Sequence, residues 1–182
     1  YYNFLIDLYN SLNVYYLEFY NKKIHSKLNY YKMENVKEHN TIDVLNSLII
    51  INNDRIEGYK TASKETREID FKTLFFSFIE TSERCKKDLV AEVIKHGGTP
   101  NEGTRITGKF FRVWMEVKAA LTCNNRKAIL DSCKYGEDVA LETYKNVLIQ
   151  EVNDINPKEQ DMLNKHYEIL KFDYDKIIEL RT

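Results

Sequence analysis

Residues 96–108 read HGGTPNEGTRITG, and this stretch decides how the chain is organised. It holds four of the six glycines and one of the two prolines in 182 residues. Glycine and proline are the strongest helix breakers, so their scarcity elsewhere predicts long uninterrupted helices on both sides. The 97–125 segment then joins two helical pairs as one long connection.

Upstream of it, two helices are expected. One runs from about Thr41 to Lys64, with Asn40 or Thr41 as N-cap, Asp43 complementing the dipole, and Ile42, Leu45, Ile49 and Ile56 as its apolar stripe. The next begins after Asp70 and ends at Gly97-Gly98, a glycine C-cap, with Phe71, Phe75, Phe78, Cys85, Leu89 and Val93 on one face. Downstream, a third helix spans roughly 126–152, with Ile129, Cys133, Ala140, Tyr144 and Val147 on one side. The fourth opens with NPKE: Asn156 caps, Pro157 takes the first helical position, and Glu159 completes a capping-box pattern. Its stripe is Leu163, Leu170 and Ile177, with His166 and Tyr174 alongside.

Each helix is about 36–42 Å long at 1.5 Å per residue, and one apolar stripe each is what a bundle needs. Short links within each pair predict two antiparallel hairpins. The long crossover between them carries an extra helix, KFFRVWMEVKAAL, from residue 109. Short, long, short is the connection pattern of ferritin-like four-helix bundles. The fold class expected is therefore all-α.

Four stretches carry a family resemblance: NDRIEGYKTAS from residue 53, HGGTPNEGT from 96, WMEVKAAL from 114 and AILDSCKYGEDVALETYKNVL from 128. In this order they resemble a bacterial ferritin-like family catalogued as domain of unknown function 2383, over roughly residues 41–180. The resemblance implies a ferritin-like four-helix bundle and brings no established activity. Near the last turns this family often shows a His-Asp pair where this chain has Tyr174-Asp175, which counts against a histidine-dependent role there.

The first 32 residues differ in composition from the rest. They hold eight of the 13 tyrosines, five asparagines and four lysines, and no Gly, Ala, Pro or Arg. Those are the residues of AT-rich codons, so residues 1–32 read as an over-extended gene start, with Met33 as the natural beginning. Phe4, Leu5, Leu8, Leu12, Tyr15, Tyr16 and Phe19 also recur at helical spacing, which makes an appended amphipathic helix the rival reading. The domains expected are thus 1–32, extraneous, and 33–182, the bundle.

A net charge of -1 gives no basic field to attract nucleic acid or an anionic membrane. Cys85, Cys123 and Cys133 have no metal-ligand spacing, and read as reduced thiols of a cytoplasmic protein. A di-iron centre of ferritin type needs Glu-x-x-His on two helices. No Glu-x-x-His occurs in this chain, and helical projection turns Glu80 and Glu83, its nearest imitation, toward solvent.

The projection brings another set inward: Asn53 and Glu57 on the first helix, Glu137 on the third, His166 and Asp173 on the fourth. Glu57, Glu137, His166 and Asp173 are the candidate ligands for one metal ion, iron or manganese. The reading preferred is a hydrogen-bonded polar layer fixing helix register, with His166 as partner of Glu137 or Asp173 and no cofactor. Glu92 and His96 also share a face, but two ligands do not make a site, and His96 is expected to serve the last helix carbonyls. Phe110, Phe111, Trp114 and Met115 close one side of the bundle or form a partner-binding ridge. The function expected is a non-catalytic bundle acting through protein contacts, as a homo-oligomer or with a partner. The alternative is a metal-dependent oxidoreductase or metal-storage protein.

Overall fold

The first glycine of the chain is Gly58 and the first proline Pro100, so nothing upstream of them interrupts a helix. In the computed structural model the chain accordingly begins with one helix, α1 (Tyr2–Glu65). The structure describes residues 2–104, 109–123 and 125–181, with side chains over 22–104, 115–123 and 125–181. The ridge expected at Phe110, Phe111 and Trp114 falls outside the described side chains; Met115 beside it is exposed.

The remaining elements are α2 (Ile69–Lys95), α3 (Lys109–Thr122), α4 (Arg126–Gln150), a 3-10 turn (Val152–Asp154) and α5 (Pro157–Arg181). The molecule is all-α, with no strand among the described residues. The chain divides into two compact units, Tyr1–His39 and Asn40–Thr182. In the first, every described side chain, from Lys22 on, is exposed. Within it, Lys27 lies 6.0 Å from the ring centroid of Tyr31, and Tyr30 and Tyr31 meet edge to face.

One expectation fails at the start of the second unit. Asn40 and Thr41 do not cap a helix; they lie inside α1, whose backbone continues through them. Their side chains turn outward from the helix instead. The Asn40 amide donates to Asp154 Oδ1 (3.2 Å), and the Thr41 hydroxyl to the Asp154 carbonyl.

The other helix ends follow the sequence. At the end of α2, Gly97 adopts φ +73°, where a side chain would be strained. Its N–H donates to the Ile94 carbonyl and that of Gly98 to the Val93 carbonyl, both at 2.9 Å. This pair of bonds is the Schellman arrangement. Gly98 is needed for closeness instead, since a Cβ there would lie 2.8 Å from the Ile42 side chain. α4 is capped by Asn125, which accepts from Ala128 N. α5 carries the full capping box: Asn156 Oδ1 accepts from the N–H groups of Lys158 and Glu159, and Glu159 Oε2 accepts from Asn156 N at 2.7 Å.

The stretch after α2 is fastened to α1 by two asparagines. Asn46 donates to the Thr99 carbonyl (3.1 Å) and accepts from Asn101 N (2.7 Å). Asn53 donates to the carbonyls of Asn101 (3.2 Å) and Gly103 (2.8 Å). Asn53 is buried, as projected, but under this loop.

Cross-helix contacts give the directions. Asn46 meets Thr99, Arg55 meets Ser82 and Tyr59 stacks on Phe75, so α1 and α2 run oppositely. Asp131 pairs with Arg181 and Tyr144 meets His166, so α4 and α5 do too. Asp88 reaches His166 and His96 reaches Glu159, which sets α2 against α5. α2 and α4 therefore point the same way, and the connection between them must return along the helices' length. α3, within that connection, buries Val117 and Ala120.

Among the described residues the core holds two large apolar clusters, beside a small one of Ile51 and Ala140. One gathers Tyr59, Phe71, Phe75, Phe78, Ile129, Cys133 and Ile177 with the two α3 residues. The other gathers Leu45, Leu48, Leu89, Val93, Tyr144, Val147, Leu163 and Leu170. Along α5 the buried residues are Glu159, Leu163, His166, Leu170, Asp173 and Ile177, at alternating steps of four and three. On α1 the same alternation joins Leu45, Leu48, Asn52, Arg55, Tyr59 and Ala62, all buried. That average step is the coiled-coil seam, in which side chains of facing helices interlock. Between the two clusters the seam is polar.

Candidate functional site

The polar level is built around Arg55, which is 1% exposed. Its Nε donates to Glu137 Oε1 (3.0 Å) and its Nη2 to Glu137 Oε2 (2.9 Å), a bidentate fork. Nη2 also reaches Asp173 Oδ2 at 3.3 Å, and Nη1 donates to Ser82 Oγ at 2.6 Å. The Tyr59 hydroxyl donates to Glu137 Oε1 at 2.6 Å. The Ser82 hydroxyl itself donates to the Phe78 carbonyl at 2.8 Å. Four helices thus meet in one hydrogen-bonded set: α1 supplies Arg55 and Tyr59, α2 Ser82, α4 Glu137 and α5 Asp173.

The charges explain why this level survives in a dry core. Burial pulls the Arg55 pKa down, but Glu137, Tyr59 and Asp173 outweigh it, so the guanidinium is held more firmly charged than usual. Burial first, and then Glu137, push the Tyr59 phenol well above 10.0, so it stays a neutral donor. Burial also raises the Asp173 carboxyl above 3.8, against the pull of Arg55. One buried cation between two carboxylates leaves one negative charge over. Lys176 Nζ, 3.8 Å from Asp173 Oδ1, faces it from the partly exposed side.

The four sequence-predicted ligands part company here. Glu137 and Asp173 come together, but across Arg55. Glu57 is exposed and lines an open surface groove with Asn53, Lys60, Glu83 and Lys86. His166 is buried but partners neither Glu137 nor Asp173. Its Nε2 lies 3.1 Å from Asp88 Oδ2, and its Nδ1 is buried without a hydrogen-bond partner. Burial lowers the His166 pKa below 6.5 while Asp88 opposes, so the ring is biased toward neutral. Its neighbour Tyr144 accepts from Asn52 Nδ2 at 2.7 Å and meets the His166 ring edge to face at 6.1 Å.

An iron or manganese ion held by these four residues does not fit. Both oxygens of Glu137 are committed to the guanidinium, which already supplies the positive charge. Glu80 and Glu83 are exposed, in agreement with the projection. Cys85 and Cys133 are buried free thiols. Burial pushes Cys85 up to about 11 and Cys133 higher still, so neither is an activated nucleophile.

Arg55 is the residue that projection missed. A straight helix of 3.6 residues per turn, centred on Ile49 and Ile56, turns Arg55 well off the inward direction. Ile49 and Ile56 mark one edge of the buried face; on the same 100° projection the seam of alternating threes and fours is centred roughly 70° to one side of them and runs through Arg55. The readable signal was the spacing Leu45, Leu48, Asn52, Arg55, Tyr59.

A second gathering of ligand-type atoms lies away from this level, where α2 ends and α5 begins. Among the described residues, Glu92, His96 and Glu159 each place one donor atom within 4.8 Å of the others. No helix among the described residues is long and apolar enough to cross a membrane. A family model described as a domain of unknown function, numbered 2383, matches residues 40–150. Among curated proteins none matches the chain.

Proposed function

Since this chain belongs to the domain of unknown function 2383 family, a description that carries no activity, we propose that it is a ferritin-like four-helix bundle with a purely structural interior. Its work is done by its outer surface, through contacts with protein partners or copies of itself in a bacterial cytoplasm. The antiparallel pairs α1–α2 and α4–α5, with a long connection between them, support the bundle reading. The free thiols of Cys85, Cys123 and Cys133 support a reducing compartment.

One observation carries the functional half. Ferritin-type enzymes hold their metal ions between side chains on facing helices of the bundle core; here the buried polar level is filled by a guanidinium, fixed by Glu137, Asp173 and Ser82. Such a level sets register and orientation and has no open coordination position. The test is aerobic Fe(II) oxidation by the purified protein, alongside its mass by light scattering. The expected result is oxidation no faster than buffer and a mass that is a multiple of 21.6 kDa. Catalytic turnover of Fe(II) by the wild type, lost in Glu137→Gln, would overturn the reading.

A further inference from the structure

The end of α2 and the first turn of α5 place three donors around one point. Glu92 lies in the last turn of α2 and His96 is that helix's C-cap, and Glu159 faces them from α5. His96 Nε2 is 2.5 Å from Glu159 Oε1. Glu159 is only 2% exposed, and its other oxygen is held by the Asn156 N–H at 2.7 Å. That bond fixes the buried carboxylate and aims its remaining oxygen at the imidazole, the kind of support that orients a metal ligand. The side chains of His96 and Glu92 are 20% and 24% exposed, so the opposite side is open to water.

Two further features favour a cation here. The C-terminal carbonyls of α2 give this end of the helix a partial negative charge. The two carboxylates add more, and the nearby lysine does not fill the centre of the group. Lys95 Nζ reaches Glu92 Oε2 at 2.6 Å, from a side chain 58% exposed. Exposed pairs of that kind contribute little and are readily displaced.

We propose that Glu92, His96 and Glu159 bind one divalent transition-metal ion, which pins the end of α2 to the start of α5. One imidazole nitrogen and two carboxylate oxygens suit Zn²⁺, Mn²⁺ or Fe²⁺ rather than Mg²⁺ or Ca²⁺, and Zn²⁺ is bound most tightly of these. Donors at about 2.1 Å from a tetrahedral Zn²⁺ stand about 3.4 Å apart. The three atoms lie within 4.8 Å of one another and His96 Nε2 is 2.5 Å from Glu159 Oε1, so reaching that spacing takes rotation of the partly exposed His96 and Glu92 side chains. Water completes the shell on the exposed side. The site is separate from the Arg55 level and makes no use of Glu137 or Asp173.

Calorimetric titration of the full metal-free chain with ZnCl₂ and MnCl₂ tests this. The expected result is one equivalent of Zn²⁺, bound more tightly than Mn²⁺, with a rise in the thermal midpoint. Glu92→Gln and His96→Asn should each weaken Zn²⁺ binding at least tenfold. Glu159→Gln should do the same while keeping its capping bond, because glutamine also serves that position. Lys95→Met, which removes the competing ammonium, should tighten binding severalfold. Absence of stoichiometric Zn²⁺ in the wild type overturns the proposal. Wild-type affinity in Glu92→Gln and His96→Asn overturns it as well, by placing the ion elsewhere.

Discussion

Arg55 is the residue on which the interior turns. Arg55→Met strands Glu137 and Asp173 as buried carboxylates without a cation, and should cost about 3–5 kcal/mol in urea denaturation. Replacing the whole set, with Glu137→Leu and Asp173→Leu added, should recover most of that loss. His166 gives a different signal. The native state, in which burial holds its pKa below 6.5, resists a proton that the unfolded chain accepts. Its contribution is complete above pH 6.5 and is lost as the pH falls below that value. His166 should therefore lower stability on that acid side, and its share of the slope should vanish in His166→Gln. Asp173, whose carboxyl is raised from 3.8, acts in the opposite sense, so the difference between wild type and variant isolates His166. Neither residue's partner was read from the sequence. Glu137 and Asp173 could be placed inward by spacing; Arg55 was passed over, although its seam spacing marked it, because an arginine in a helical run ordinarily reads as surface.

At the scale of the element, the sequence was most readable at helix ends, where a few local atoms decide the geometry. The caps at Asn156 and Gly97 needed nothing beyond their own turn. The start of α1 was misread for the converse reason: Asn40 and Thr41 are good capping residues, yet nothing before them forces the helix to stop. The two glycines after α2 separate cleanly by experiment. Gly97→Ala should cost about 1–2 kcal/mol, the strain of a left-handed backbone with a Cβ. Gly98→Ala should cost about 1–3 kcal/mol by overpacking against Ile42. Adding Ile42→Ala should relieve the second penalty and leave the first unchanged. A double-mutant cycle in thermal or urea denaturation measures both.

For the whole molecule, the order of short and long connections in the sequence anticipated which helices run oppositely. The level at which their polar residues meet was not accessible that way, since it depends on the relative slide of four helices. The described side chains of residues 22–40 are exposed. Deletion of residues 1–32 should leave the urea midpoint nearly unchanged, and a large loss would assign that segment a part in the fold.

The partners of Arg55 come from α2, α4 and α5, and this has a consequence for the order of assembly. The α1–α2 hairpin alone offers the guanidinium a serine and no counter-charge, so that hairpin cannot close dry. The charge stays hydrated until α4 and α5 arrive, and desolvation is deferred to the last step. A half-formed bundle is therefore expected to lack a stable interior at Arg55. The variant with an apolar set at this level should refold faster than the wild type in stopped-flow experiments.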